Sequence, residues 1–83
     1  MYYLINHIAP ESVWAEGKTP MLCLQNYNLN VDSGEQLNTG QILAGYRNSK
    51  IIELNINNQF SLISRERLFE HYPDMVKYLS NNA

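Results

Sequence analysis

Hydrophobic and polar positions alternate most clearly in the second half of the chain. Ile52, Leu54 and Ile56 occupy every second position, and Phe60 and Leu62 repeat that spacing after a polar interruption. A period of two residues is typical of strands that bury one face. Residues 51–64 are therefore predicted to form two strands joined by a turn.

The same positions predict the register of this hairpin. A two-residue turn at Asn57 and Asn58 would set the polar Asn55 opposite Phe60, whereas a three-residue loop that includes Gln59 sets Ile56 opposite Phe60. A shift of one residue turns every side chain to the other face of the sheet, so burial favours the longer loop. The longer loop also pairs Leu54 with Leu62.

A helical period replaces the alternation after residue 64. Ser64 is a typical N-cap residue, and Glu66 lies in the first turn, where the helix dipole favours a negative charge. Apolar residues then recur at about 3.6 positions, at Leu68, Phe69, Tyr72, Val76 and Leu79. Proline disfavours helix at the preceding residue and lacks a backbone donor, so the helical segment is predicted to break near Pro73.

The first half of the chain is less regular. Residues 2–8 are rich in aromatic and β-branched side chains, which predicts a strand. Pro10 suits the first position of a helix and Gly17 suits its end, so residues 10–16 are predicted to form a short helix or a 3₁₀ turn after strand 1. In residues 21–31 the apolar Tyr27, Leu29 and Val31 alternate with asparagines, which predicts a second strand with an amide-rich face.

Residues 35–46 fit two structures. Ser33 and Gln36 have the spacing of a capping box, which favours a helix, although Gly40 interrupts it. A turn ending at Gly40 followed by a strand over residues 41–46, paired with residues 51–56 through a loop at 47–49, is favoured slightly. This register would place Ala44 opposite Ile52.

Together these elements predict one compact α+β domain over residues 1–83. A small antiparallel sheet of four or five strands packs against the broken C-terminal helical segment, with the short helix after strand 1. The predicted core consists of apolar positions from most of these elements, namely Leu4, Leu22, Leu24, Ile52, Leu54, Ile56, Phe60, Leu62, Leu68, Phe69, Val76 and Leu79.

Charge and composition narrow the functional classes. The net charge is −2; residues 1–42 hold one lysine and four carboxylates, and residues 43–83 hold five cations and four carboxylates. Nucleic-acid binders normally carry a stronger basic excess. No apolar run approaches the ~20 residues that span a bilayer. The N-terminal residues lack the features of a signal peptide, and Cys23 is the single cysteine, so we expect a cytoplasmic protein without membrane contact or disulfide.

Motifs of catalysis and cofactor binding are missing from the sequence. Two histidines and one cysteine do not supply a zinc site at ligand spacing. The four glycines form neither a phosphate-binding loop nor a nucleophile elbow. Cys23, between two leucines, is predicted to be a buried and inert thiol. We therefore expect no enzyme, no catalytic residue, no cofactor and no metal.

A protein-binding regulator or inhibitor, of the kind that bacterial mobile elements and phages encode, fits these features best. Tyrosine, tryptophan and arginine are common anchors of protein interfaces, and asparagine amides offer polar contacts. An exposed sheet edge would also allow a homodimer, and thus a self-associating structural role. The candidate partner-binding residues are Tyr3, Trp14, Asn26, Asn28, Asn30, Arg47, Asn57, Asn58, Arg65 and Arg67.

A DNA-binding regulator is the alternative. The strand-turn-strand pattern followed by "LISRERL" resembles the wing and following helix of small winged-helix proteins of the excisionase type. The resemblance covers residues 51–68 and implies a wing that contacts DNA. Such proteins also carry a helix-turn-helix ahead of the wing, whereas residues 33–50 supply at most one helix. The predicted wing tip at residues 57–59 carries no cation.

Overall fold

The fold is a four-stranded antiparallel sheet with helices on both faces. The computed structural model describes residues 1–46 and 51–80, with side chains as far as residue 76. In chain order the elements are β1 Tyr2–Asn6, β2 Ser12–Gly17, α1 Pro20–Leu29, a 3₁₀ turn Ser33–Glu35, α2 Thr39–Leu43, β3 Glu53–Ile56, β4 Phe60–Ser64, α3 Arg65–His71 and α4 Pro73–Ser80. The strands lie in the order β2-β1-β4-β3. The predicted α+β class, with C-terminal helices, is confirmed.

One apolar cluster lies on each face of the sheet. The cluster on the α1 face contains Leu4, Cys23, Leu24, Tyr27, Ile51, Ile56, Phe60 and Leu62. The cluster on the α3 face contains Tyr3, Ile5, Ile63 and Leu68, with Tyr72, Met75 and Val76 packed against it. The central strands β1 and β4 are therefore buried on both sides, which is why β4 is buried at every position.

The predicted hairpin register is confirmed. Ile56 pairs with Phe60 and Leu54 pairs with Leu62. The turn residues Asn57 and Asn58 have φ of 55° and 57°, a left-handed conformation that asparagine adopts more readily than most residues. The backbone N–H of Gln59 closes the turn by donating to the carbonyl of Ile56 at 3.2 Å.

The predicted helix start and break at the C-terminal end are also confirmed. The Ser64 hydroxyl accepts a hydrogen bond from the backbone N–H of Arg67 at 3.3 Å, so Ser64 caps α3. Helix α3 ends at His71, Tyr72 leaves the helical conformation, and Pro73 begins α4. The ring of Pro73 cannot continue the hydrogen-bond ladder of α3, which explains the position of the break.

Residues 12–17 form strand β2, so the predicted helix over residues 10–16 is wrong. Strand β2 pairs with β1 through a bulge, which sets Ile5 opposite Val13 and Leu4 opposite Ala15. Pro10 and Gly17 favour a helix only through local backbone preferences. The hydrogen bonds that residues 12–17 make to the edge of β1 not paired with β4 outweigh these preferences.

Residues 20–29 form helix α1, so the predicted strand over residues 21–31 is wrong. The Thr19 hydroxyl caps the helix by accepting from the N–H of Leu22 at 3.1 Å, and Pro20 takes the first helical position. The buried side chains Cys23, Leu24 and Tyr27 follow the spacing of a helix rather than an alternation. Thr19 followed by Pro20 is a typical helix start, and this local preference outweighs the alternation of apolar residues at 27–31.

The favoured strand over residues 41–46 is also wrong. Residues 39–43 form α2, and the side chain of Asn38 caps it by accepting from the N–H of Gln41 at 3.0 Å. Ala44 is therefore not paired with Ile52. The predicted loop at residues 47–49 lies outside the described residues.

The predicted core is confirmed in part. Leu4, Leu24, Ile56, Phe60, Leu62 and Leu68 are buried, and Leu54 and Val76 are half-buried. Three predicted core residues are exposed and were wrong, namely Leu22, Ile52 and Phe69. Leu22 was predicted to be buried because residues 21–31 were expected to form a strand. Ile52 precedes β3, and Phe69 lies on the solvent side of α3. The side chain of Leu79 lies outside the described part of the chain.

Candidate functional site

The predicted partner-binding residues lie at opposite ends of the sheet. Trp14 and the turn at residues 57–59 lie at the end where β1 finishes and β4 begins, because Asn6 pairs with both Ser12 and Phe60. Arg65 and Arg67 follow the other end of β4. Arg47 lies outside the described residues. No single surface can therefore use the whole predicted set.

Three of the predicted residues use their side-chain amides inside the protein. Asn26 and Asn28 lie on α1 and Asn30 is its C-cap residue, so none of the three is on a strand. Asn28 donates to the carbonyl of Leu37 at 2.9 Å and accepts from its N–H at 2.8 Å. The Nδ2 groups of the other two donate to the carbonyls of Glu16 and Asn26. Asn26 and Asn28 hold α1 to its neighbours, Asn30 bonds back to α1 itself, and the predicted contact of all three with a partner stays a prediction.

Tyr3 lies in the core. Only 5% of this residue is exposed, and it belongs to the cluster on the α3 face. Burial raises the pKa of its hydroxyl above the usual 10.0. Tyr3 therefore offers little surface to a partner in this conformation.

Trp14 is an exposed aromatic residue whose ring packs against two other aromatic rings. Its ring lies 5.8 Å from that of Phe60 in an edge-to-face arrangement and 6.3 Å from that of Tyr27. The rings of Tyr27 and Phe60 lie 5.4 Å apart. The indole Nε1–H donates to the Ser12 hydroxyl at 2.9 Å, which fixes the orientation of the ring. Trp14 is nevertheless 47% exposed, so one part of it is free to contact another molecule.

Two further exposed apolar residues lie at the same end of the sheet. Helix α1 runs antiparallel to β2, so its last residue, Leu29, reaches the end that carries Tyr27 and Trp14. Leu29 is 82% exposed, and Ile8, in the loop between β1 and β2, is 60% exposed. We call Ile8, Trp14 and Leu29 the aromatic end. A large exposed apolar patch is a common mark of an interaction site, which makes this end of the sheet the candidate surface.

One carboxylate lies near the ring that supports Trp14, whereas Glu11 is turned to the other face of the sheet. The Glu11 carboxylate is paired with His7, whose ring lies 6.1 Å from that of Tyr72 beside the cluster on the α3 face. On the other side, the Tyr27 hydroxyl donates to the carbonyl of Glu35 at 3.2 Å, and the N–H of Glu35 donates to the carbonyl of Asp32 at 2.8 Å. Burial, followed by the negative charge of Glu35, raises the pKa of Tyr27 above its usual 10.0.

His7 connects a carboxylate to a buried serine. Its Nδ1 lies 2.7 Å from Glu11 Oε2, and its Nε2 lies 2.7 Å from Ser61 Oγ. In a neutral His7 whose Nδ1–H donates to the carboxylate, Nε2 accepts from the Ser61 hydroxyl. This connectivity is that of a serine, histidine and acid triad. Sequence reasoning missed it, because Ser61 and His7 are 54 positions apart and neither has a local motif.

The burial of Ser61 limits what this cluster does in the observed conformation. Ser61 has no exposed surface, so a substrate carbonyl cannot reach its Oγ. The cluster does satisfy the hydrogen bonds of a buried hydroxyl, and it ties the loop that carries Glu11 to strand β4. A second bond, from the N–H of His7 to the carbonyl of Gln59 at 2.7 Å, supports the same connection. The cluster thereby fixes the loop between β1 and β2 against β4.

Cys23 is buried, as predicted. Burial, followed by the charge of Glu16, raises its pKa from 9.0 to about 12. A thiol with this pKa remains protonated at neutral pH, and the thiolate is the reactive form.

We expect a colorimetric disulfide reagent at pH 8 to label Cys23 at least about 100-fold more slowly in the native protein than after denaturation, because labelling requires exposure and ionisation. The rate is measured from the release of the chromophore, with and without guanidinium chloride. Equal rates in the two states would show that the thiol is accessible.

The outer edge of β3 is the more open edge of the sheet. The bulge opposite Leu4 and Ile5 disrupts the β2 edge, and bulges of this kind oppose further pairing. Just before β3 the carbonyl of Ile52 accepts from the backbone N–H of Ser64, so the backbone groups of the even-numbered residues face β4. By alternation, the backbone groups of Glu53 and Asn55 point outward.

A shallow depression of about 280 Å³ lies beside this edge and is lined by Ile52, Ser64, Glu66, Arg67 and Glu70. In its wall, Arg67 Nε donates to Glu53 Oε1 at 3.3 Å. Within residues 1–46 and 51–80, no three His, Cys, Asp or Glu side chains are placed to hold a metal ion. No helix in those ranges has both the length and the apolar character needed to cross a membrane.

Comparison with known proteins gives no relative. No family model matches the sequence, and neither the curated proteins nor the solved structures include a significant match.

Proposed function

We propose that this chain is a non-catalytic protein-binding module, acting as a regulator or inhibitor, and that it contacts its partner through the aromatic end. The observation that carries the proposal is the half-exposed Trp14, held on Phe60 and Tyr27 and oriented by Ser12. A preordered tryptophan loses little conformational freedom on binding and supplies a large contact area. Tryptophan is accordingly enriched among the residues that dominate interface energies.

The surroundings of Trp14 support a protein partner over a nucleic acid. Ile8 and Leu29 extend the apolar surface at the same end. The charge of Glu35, which acts on the neighbouring Tyr27 hydroxyl, would repel phosphates, and a DNA-binding surface needs a cluster of cations. The turn at residues 57–59, the tip of the wing in the DNA-binding alternative, also lies at this end of the sheet and carries no cation.

Self-association is a second candidate, favoured by the open edge of β3. Glu53 and Asn55 present outward backbone groups that a strand from another copy could pair with. The paired length would be short, because β3 has only 4 residues. A differently tagged copy of the chain, added to the host-cell extract, should be recovered with the tagged protein if the chain self-associates.

We expect a tagged form of the protein to recover a specific partner protein from an extract of its host cells. Trp14→Ala and Ile8→Ser should abolish the recovery, because both remove apolar contact area at the aromatic end. Phe69→Ala should retain it. Phe69 is a matched control, since it is an exposed aromatic residue at 44% exposure and lies on α3, on the other face of the sheet. Mass spectrometry identifies the recovered proteins.

Melting temperatures of the variants separate lost binding from lost folding. Ile8 is 60% exposed, so Ile8→Ser should leave the melting temperature almost unchanged even though Trp14→Ala removes a contact with Phe60. Equal recovery by all variants would contradict the proposal. Recovery of nucleic acid with a steep loss in salt would instead support the winged-helix alternative.

A further inference from the structure

The sequence of β3 lacks the features that usually prevent an edge strand from pairing with another chain. Folded proteins protect such edges with lysine, proline or a bulge. Strand β3 reads Glu-Leu-Asn-Ile and pairs regularly with β4, whereas a bulge interrupts the pairing of β2 at the other edge of the sheet. The one charged side chain of β3, that of Glu53, accepts from Arg67 Nε at 3.3 Å. The outer edge of β3 is therefore suited to accept a further strand.

The residues of β3 select one register for pairing with a second copy of the same strand. Two copies that meet through the same edge are related by a two-fold axis, so their strands run antiparallel. An axis at Glu53 would set two carboxylates directly opposite each other, which is unfavourable across a strand pair. An axis at Asn55 would set Glu53 opposite Asn57, whose φ of 55° takes it out of the extended conformation. An axis at Leu54 avoids both problems and sets Glu53 opposite Asn55.

The register centred on Leu54 also suits the backbone and the apolar side chains. Glu53 and Asn55 carry the outward backbone groups, so each Glu53 would exchange both of its backbone hydrogen bonds with Asn55 of the other copy. Leu54 is half-buried against the cluster on the α1 face. Its counterpart would lie at a non-hydrogen-bonded position, where side chains of paired strands come closest, and would complete its burial.

We propose that the chain forms a two-fold dimer in which β3 pairs with β3 of a second copy around Leu54, so that one sheet continues through both copies. This inference develops the self-association candidate into a specific interface and does not depend on what binds the aromatic end. Trp14 lies on β2, at the opposite edge of each sheet. At the usual strand spacing, the two β2 strands of the dimer lie about 34 Å apart. The dimer therefore presents two separate aromatic ends.

Introduced cysteines test the register directly. Leu54→Cys should form a covalent dimer under mild oxidation by copper phenanthroline, because residues at a non-hydrogen-bonded position lie within reach of a disulfide. Glu53→Cys should crosslink at least about 10-fold more slowly, since the offset between its two copies exceeds that reach. Non-reducing electrophoresis follows both reactions. The wild-type chain, whose one cysteine is the buried Cys23, gives the background.

A proline in the edge strand tests the backbone hydrogen bonds of the interface. Asn55→Pro removes an N–H that points away from β4, so the hydrogen bonds within the hairpin stay in place. It should raise the dissociation constant of the dimer at least about 10-fold in sedimentation velocity. Asn55→Ala is the matched control, because it also loses the bond from the Asn58 N–H to the Asn55 side chain but keeps the backbone N–H. It should raise the dissociation constant less than about threefold.

The results separate the dimer from the proposed function. A wild-type chain that stays monomeric over its whole soluble range, equal crosslinking of Glu53→Cys and Leu54→Cys, or equal dissociation constants for the two Asn55 variants would overturn the dimer. Circular dichroism shows whether Asn55→Pro folds, and the cysteine variants decide if it does not. A monomeric chain that loses capture in Trp14→Ala keeps the aromatic end and rejects the dimer. A dimer whose Trp14→Ala variant captures as well as the wild type rejects the aromatic end alone.

Discussion

Replacing Gly17 by alanine is expected to destabilise the protein by about 3 kcal/mol, near the upper end of the usual cost of overpacking. A Cβ at this position would lie 2.4 Å from the backbone nitrogen of Cys23 and 2.7 Å from the carbonyl carbon of Leu22. Both atoms belong to the first turns of α1. The helix would have to move away from β2, since backbone atoms cannot rotate aside as a flexible side chain can.

The displacement would reach the aromatic end as well. Helix α1 is held to β2 by the hydrogen bond from Asn26 Nδ2 to the carbonyl of Glu16, at 2.7 Å. The same helix carries Tyr27, which supports Trp14. Gly17→Ala should therefore also change the fluorescence of Trp14 in the fraction that remains folded.

Gly34→Ala is the matched control for this prediction. A Cβ at residue 34 would have no atom within 4 Å, so the same substitution should change the free energy of unfolding by less than about 0.5 kcal/mol. Urea unfolding followed by circular dichroism measures both variants. Similar values for the two glycines would contradict the close packing of α1 against β2.

Leu62→Ala is expected to destabilise the protein by about 2–5 kcal/mol, the usual range for truncating a buried leucine. Leu62 has no exposed surface and lies in the middle of β4, opposite both Leu4 and Leu54. Its removal leaves a cavity between β4 and α1, because strands paired on both sides have little freedom to close it.

Leu54→Ala provides the control on the opposite strand. Leu54 pairs with Leu62 but is only half-buried on the edge strand β3, so its truncation should cost less than half as much. The two values come from the same urea titrations. A larger loss for Leu54 than for Leu62 would mean that the apolar cluster lies nearer β3 than the structure places it.

The elements that were predictable from sequence are those whose local signals agree with their tertiary contacts. The hairpin at residues 53–64 alternates apolar and polar residues, and only one register buries Ile56 against Phe60. The cap at Ser64 and the break before Pro73 are set by backbone chemistry that acts over a few residues. Such features do not depend on the rest of the fold.

The predictions that were wrong concern residues whose structure depends on tertiary contacts or on helices that cover both faces of the sheet. Residues 12–17 carry helix signals but pair with β1, a partner that local pattern cannot reveal. Tyr3, Ile5 and Ile63 are buried because α3 and α4 cover the second face of the sheet. A sheet covered on one face alone would have exposed them, which is what the alternation in the sequence suggested.

The candidate site was only partly predictable for the same reason. Trp14 was predicted as a partner-binding residue from its type, but its support comes from Phe60, which is 46 positions away in the numbering. The position of Tyr27 beside Trp14 depends on α1 returning along β2, and the predicted strand over residues 21–31 concealed that arrangement.

The affinity of the captured partner for Trp14→Ala and Phe69→Ala tests the central claim most directly. Purified partner is titrated against the wild-type chain and both variants by calorimetry. Because an anchoring tryptophan commonly contributes about 2 kcal/mol or more, Trp14→Ala should raise the Kd at least about 30-fold. Phe69→Ala should change the Kd less than about threefold. A loss on Phe69→Ala together with unchanged binding by Trp14→Ala would contradict the account and place the interface on α3.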